Sequence, residues 1–210
     1  MVGKDTIQRM RTSATKVSFL LSLPDEYVGE VEKRALDYLE KDKRGAIGFD
    51  LYALAGAVDV LEELGLPVDR HTIEKIAPKL RTVFEKDRSI DERVNFILRE
   101  LRNIRGRGLP IPTVAQYMRK AKLILNLPDE TINEALKLVD RIKEAIKPHT
   151  TRTRVLVSVA IYLADKKHAK GRKPVTQKDL WFTLGSTEIT MRLLLRKLRN
   201  KPEFKEYFER

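Results

Sequence analysis

Leu23-Pro24-Asp25-Glu26 recurs as Leu127-Pro128-Asp129-Glu130, an offset of 104 residues (127 − 23). The offset holds along most of the chain. The apolar run from Leu51 to Val60 falls on Val155 to Ala164, and Thr72 to Ala77 falls on Thr176 to Trp181. Near the repeat ends, Arg99-Glu100-Leu101-Arg102-Asn103 matches Arg196-Lys197-Leu198-Arg199-Asn200 at an offset of 97 (196 − 99). The first copy therefore carries seven extra residues (104 − 97) between positions 77 and 99. A period this long is no solenoid unit. It marks a duplicated domain of roughly 100 residues, large enough to bury its own core.

Hydrophobic periodicity makes both copies helical. Ile7, Met10, Ala14, Val17, Leu20 and Leu21 recur at steps of three and four, the spacing of an amphipathic helix. Pro24 stops that helix and opens a second, with Asp25 and Glu26 suited to a helix start. Val28, Val31, Ala35 and Leu39 form its apolar stripe, and Gly45 and Gly48 end it. Phe49 to Leu64 is apolar on nearly all sides and reads as a buried central helix. Thr72 is expected to cap a short helix into Ala77. A charged helical stretch is expected from about Pro78 to Asp87, and a last helix from Ser89 to Asn103. The second copy repeats the layout, with helices at 113–125, 129–146, 152–167, 176–183 and 187–200. The expected fold is all-α, two tandem five-helix domains at 1–105 and 113–210. Gly106 to Pro112 is the linker, since two Gly and two Pro in seven residues cannot continue a helix.

Composition excludes several functions. The absence of Cys removes disulfides, thiolate catalysis and Cys-based zinc sites. No phosphate-cradling Gly loop occurs, because Gly106-Arg107-Gly108 lacks the strand and helix that such loops need. His71, His149 and His168 have no metal-ligand spacing, and His149 and His168 read as surface residues. The Asp-Glu pairs at 25–26 and 129–130 each follow Pro at a helix start, where capping explains them. The expectation is a protein that is not an enzyme and takes no metal or cofactor. No apolar run is long enough to span a membrane and no signal core opens the chain, which points to a cytoplasmic protein. Few Gln and Asn beside 34% charged residues suggest a thermophilic source.

Charge placement narrows the partner. Net charge is +12. Between Lys166 and Lys201 stand eleven Lys or Arg against Asp179 and Glu188 alone, an excess of nine (11 − 2). Such a concentrated excess is an electrostatic footprint for a polyanion. Within it, Thr176 to Leu198 reads as short helix, turn at Gly185, longer helix capped by Ser186 or Thr187. Met191, Leu194, Leu195 and Leu198 would point inward, while Ile189, Arg192, Arg196 and Arg199 form an outward stripe. An apolar residue beside guanidinium groups suits the major groove: Arg bonds guanine in bidentate fashion, and Ile touches a thymine methyl. Ile189, Arg192 and Arg196 are the candidate base readers. Lys170, Arg172, Lys173, Lys178 and Arg199 are candidate phosphate contacts.

These residues carry a resemblance. Val159-Ala160-Ile161-Tyr162-Leu163-Ala164, Thr176-Gln177 and Gly185-Ser186-Thr187-Glu188-Ile189-Thr190-Met191-Arg192 resemble the second cyclin-like repeat of transcription factor IIB and its archaeal counterpart, transcription factor B. The first copy resembles their first repeat through its Leu-Pro start and Pro67, Arg70 and Thr72. The resemblance implies two cyclin-like domains that bind promoter DNA with the TATA-binding protein. It places promoter reading on Ile189 and Arg192 and a further DNA contact near Arg70 and His71. It puts Arg102, Arg105 and Arg107 near the TATA-binding protein or phosphates. The family's Gly-x-x-Pro-x-Gly approach to the central helix is replaced by Thr150-Thr151-Arg152-Thr153-Arg154. Its zinc ribbon has no counterpart here, so any engagement of RNA polymerase would be indirect. The expectation is an archaeal initiation-factor core or regulator; the competing expectation is a cyclin-type module that grips a protein and ignores DNA.

Overall fold

Helices begin where side chains can satisfy the first free amides. Ser89 with Glu92, Thr113 with Gln116 and Thr176 with Asp179 each form a reciprocal capping box. In the computed structural model, which describes residues 3–42, 47–82, 89–147, 151–169 and 171–209, these caps open three of ten α-helices, and no strand occurs among the described residues. The chain divides into two compact units, Met1–Ile111 and Pro112–Arg210.

The first unit holds α1 (Lys4–Leu20), α2 (Val28–Lys41), α3 (Phe49–Glu63), α4 (Arg70–Ile76) and α5 (Ile90–Arg105). Every residue of α3 from Asp50 to Leu61 is buried, as its apolar circumference requires, and α1, α2 and α5 pack around it. Gly56 lets α2 come close: a Cβ there would lie 2.8 Å from the Val31 carbonyl oxygen. Two expectations change. Asp69, not Thr72, caps α4, its carboxylate accepting from the Thr72 amide at 2.9 Å. The charged helix from Pro78 is absent as far as Thr82: a 3-10 turn at Ala77–Lys79 is followed by extended chain, and 83–88 lie outside the described residues. Gly45 also lies outside them, whereas Gly48 starts α3 with φ +114°.

The second unit holds α6 (Val114–Leu125), α7 (Asp129–Ala145), α8 (Thr153–His168), α9 (Gln177–Leu184) and α10 (Glu188–Arg199). Here α8 is the buried centre, touched by α6, α7, α9 and α10. A 3-10 segment at Pro202–Tyr207, beyond the end of the repeat, inserts Phe204 and Tyr207 into this core. Burying such rings contributes about 1.5–3 kcal/mol each. Tyr207 donates to Glu134, which also accepts from Lys167, and these bonds hold that carboxyl below its usual range.

Each central helix carries, near its C-terminal end, a buried carboxylate that ties down the chain after it. Asp59 accepts from Tyr38 at 2.5 Å, Arg105 Nε at 2.9 Å and Arg107 at 3.2 Å. Asp165, fully buried, accepts from Arg172 and from the Val175 amide at 2.7 Å. Through Arg107 and through Leu109, which packs on the first core, the segment read as a linker belongs to the first unit as far as Ile111.

Candidate nucleic-acid interface

The strongest candidate site lies on α9, its turn and α10. Gly185 ends α9 at φ +75°, its amide donating to Trp181 at 2.9 Å; this left-handed conformation favours Gly. Ser186 is fully buried. Its hydroxyl accepts from Ser158 at 2.8 Å and donates to the Arg154 carbonyl at 2.9 Å, fastening the turn to the start of α8. Thr187 then caps α10, accepting from the Thr190 amide at 3.3 Å.

The direction of α10 follows from its apolar face. Met191, Leu194, Leu195 and Leu198 are buried against the core. At 3.6 residues per turn the opposite face is Ile189, Arg192, Leu193 and Arg196, all exposed. Ile189 is 71% and Leu193 53% exposed, a notable position for large aliphatic side chains. Leu193 lies nearer the middle of this face than Arg199 does, and a sequence search for arginines alone passes over it. Arg192 donates to Glu188 at 2.7 Å across one turn. Such exposed pairs are worth at most about 1 kcal/mol, less than a good base contact at about 1–3 kcal/mol, so the pair does not hold Arg192 back.

The candidate phosphate contacts separate into two kinds. Lys173 and Lys178 are exposed, Lys178 above the Phe182 ring at 5.9 Å, and Arg199 is exposed above Phe208 at 5.4 Å. Arg172 is different. Both its terminal nitrogens bond buried Asp165, so it serves to order the loop before α9, and moving it to a phosphate would strand a buried carboxylate. Lys170 and His149 lie outside the described residues. His168 is partly exposed, 3.8 Å from Glu130.

The candidates in the first unit are mostly engaged at home. Arg70 bonds Glu74 at 3.0 Å, Asn95 at 2.9 Å and Asp91 at 3.3 Å, joining α4 to α5. His71 sits 3.7 Å from Glu74. The Arg105 side chain has no accessible surface and is bonded to Asp59, Glu62 and the Gly108 carbonyl. That corrects its reading as a surface contact: it is part of the core. Arg107 is exposed but paired with the same two carboxylates. Arg102 is exposed on α5. Dividing the sequence after Ile111 sharpens the contrast. The first unit has 20 Lys or Arg and 19 Asp or Glu, a net +1 (20 − 19); the second has 22 and 11, a net +11 (22 − 11).

Among the described residues no group of three or more His, Cys, Asp or Glu could hold a metal ion, and no helix is long and apolar enough to cross a membrane. No protein-family model matches the chain, and no curated protein matches it.

Proposed function

We propose that this protein binds duplex DNA through the second unit, with α10 in the major groove, as a promoter-binding factor that acts beside the TATA-binding protein. The observation that carries the reading is the outward face of α10: two exposed aliphatic residues interleaved with two arginines, on a helix held by a helix-turn-helix turn in the half of the chain that carries +11. Arg192 and Arg196 would bond base edges, and Ile189 and Leu193 would pack on thymine methyls. Lys173, Lys178 and Arg199 would neutralise flanking phosphates. The promoter context, the TATA-binding protein and the cyclin-like comparison rest on the sequence resemblance. Binding involves no catalysis in this reading.

Fluorescence anisotropy of labelled duplexes tests it. The affinity should fall with salt, with a slope of about −5 if six phosphates are neutralised. Site selection from a random pool should return a preferred sequence, and the cognate TATA-binding protein should strengthen binding when a TATA element is adjacent. Absence of duplex binding at low salt would overturn the reading. A second reading, docking of a protein partner, draws on Trp181 and Phe182 of α9, which are 38% and 50% exposed with ring centroids 4.8 Å apart.

A further inference from the structure

The duplication supplies an internal comparison at the start of the central helix. In the first unit a pocket of about 580 Å³ opens beside the start of α3, between Gly48, Asp50 and the Arg81–Thr82 segment. In the second a pocket of about 470 Å³ opens beside the start of α8, between Arg152, Arg154 and the turn at Gly185–Thr187. The repeat offset of 104 maps Gly48 to Arg152, the caps of α3 and α8, and Asp50 to Arg154 (154 − 50). The two pockets are one place in two copies.

The first copy fills that place with its own anion. Asp50 is 3% exposed, and its carboxylate accepts from Ser13 at 2.7 Å, Lys16 at 2.6 Å and the Arg81 amide at 2.7 Å. The second copy has no such group. Arginine replaces the aspartate, and the charged residues lining the pocket are Arg152, Arg154 and Lys197, all positive. None of the three has an ion pair among the described residues. Thr151, Thr187 and Thr190 line it as well, which adds hydroxyl donors. Three cations brought together without a counter-charge repel one another, and an anion relieves that repulsion.

We propose that this pocket seats a phosphate group of the duplex backbone, held by Arg152, Arg154 and Lys197 in the place where the first unit holds its own carboxylate. The inference rests on the duplex-binding reading and deepens it. The Ser186–Arg154 bond joins the pocket wall to the turn that aims α10, so a phosphate seated here would set the register of α10 on its groove. It would contribute equally to every sequence, because phosphates carry no base identity.

The test is the salt dependence of duplex binding by the full chain and by the double variant R152Q/R154Q, on the preferred site and on an unrelated duplex. The proposal expects the variant to weaken both duplexes by the same factor and to reduce the salt slope by about 1, the loss of one phosphate. Equal slopes and equal affinities in variant and wild type would overturn it while leaving duplex binding intact. Loss of preference for the site would overturn it too, by making these arginines base readers. K197Q alters an exposed residue on the far wall and gives the same readout if the double variant melts early. Titration with inorganic phosphate, followed by amide resonances, separates the sources. Saturable shifts at Gly185, Ser186 and Thr187 in wild type, absent in R152Q/R154Q, uphold an anion pocket even if no duplex binds. No shifts together with no duplex binding overturn both readings.

Discussion

Arg105 and Arg70 of the first unit are bonded to carboxylates of that unit; the arginines on α10 of the second unit face outward. Arg105 is buried against Asp59 and Glu62, and Arg70 joins α4 to α5, whereas Arg192, Arg196 and Arg199 stand on the exposed side of α10. The same contrast appears at Asp50 and Arg154. Both units enclose a fully helical core around one buried helix, so the core does not set the difference. It lies in where each copy finds its negative charge. The first has nearly as many carboxylates as cations and spends its cations on them. The second has half as many carboxylates as cations, and its Arg152, Arg154 and Lys197 have no ion pair among the described residues.

The largest test of this contrast is Arg105→Ala. It removes the buried guanidinium between Asp59 and Glu62, leaving them the exposed Arg107 as their remaining cation, and should destabilise the first unit by about 3–5 kcal/mol in urea unfolding. Arg196→Ala, an exposed change on α10, should stay within about 0.5 kcal/mol. Comparable losses would show that the second unit's arginines are structural too. Backbone spacing separates the copies next. Gly56→Ala drives a Cβ against the Val31 carbonyl and should cost about 1–3 kcal/mol by overpacking. Its counterpart at the 104 offset is already Ala160, so the second unit tolerates the methyl that the first excludes.

On the binding side, Arg192→Ala should cost about 1–3 kcal/mol on the preferred duplex and relax the choice at one base pair. A uniform loss across sequences would demote Arg192 to a phosphate contact. The smallest effect is alkaline. Burial, then the bond to Asp59, pushes the Tyr38 hydroxyl up to about 12, and burial with Glu134 does the same for Tyr207. A raised folded value means that stability is complete below the unfolded value of about 10 and is lost as pH rises through 12. Absorbance titration should therefore show Tyr38 and Tyr207 ionising late, one in each unit, and both becoming ordinary in urea.

Much of this is legible in the sequence. The duplication, the buried helices at Phe49 and Val155, and the inward and outward faces of α10 all follow from periodicity, since Met191, Leu194, Leu195 and Leu198 leave only one way to bury that helix. Long-range pairing was not legible. Nothing local distinguishes Arg105, which is buried, from Arg102, which is exposed three residues earlier, because Asp59 and Glu62 lie more than forty positions away. Arg172 read as a free cation for the same reason. The 3-10 segment at Pro202–Tyr207 was missed because it lies beyond the repeat and is too short for helical periodicity. Arg152 and Arg154 appeared only as a departure from a family motif. Their charge reversal against Asp50 was readable from the offset, but its meaning needed the pocket.

Duplex binding, as proposed, belongs to the second unit's outward cations. The direct measurement is the salt slope of duplex affinity for three full-length chains: wild type, one with Arg192, Arg196 and Arg199 changed to Gln, and one with Arg9, Arg11 and Arg99 changed to Gln. The first-unit arginines are a matched control, 63%, 64% and 65% exposed beside 65% for Arg192. Binding through α10 predicts a wild-type slope of about −5, a loss of roughly 1 unit in the α10 variant from the phosphate contact of Arg199, together with loss of site preference, and neither change in the control. Equal losses in the two variants would contradict it.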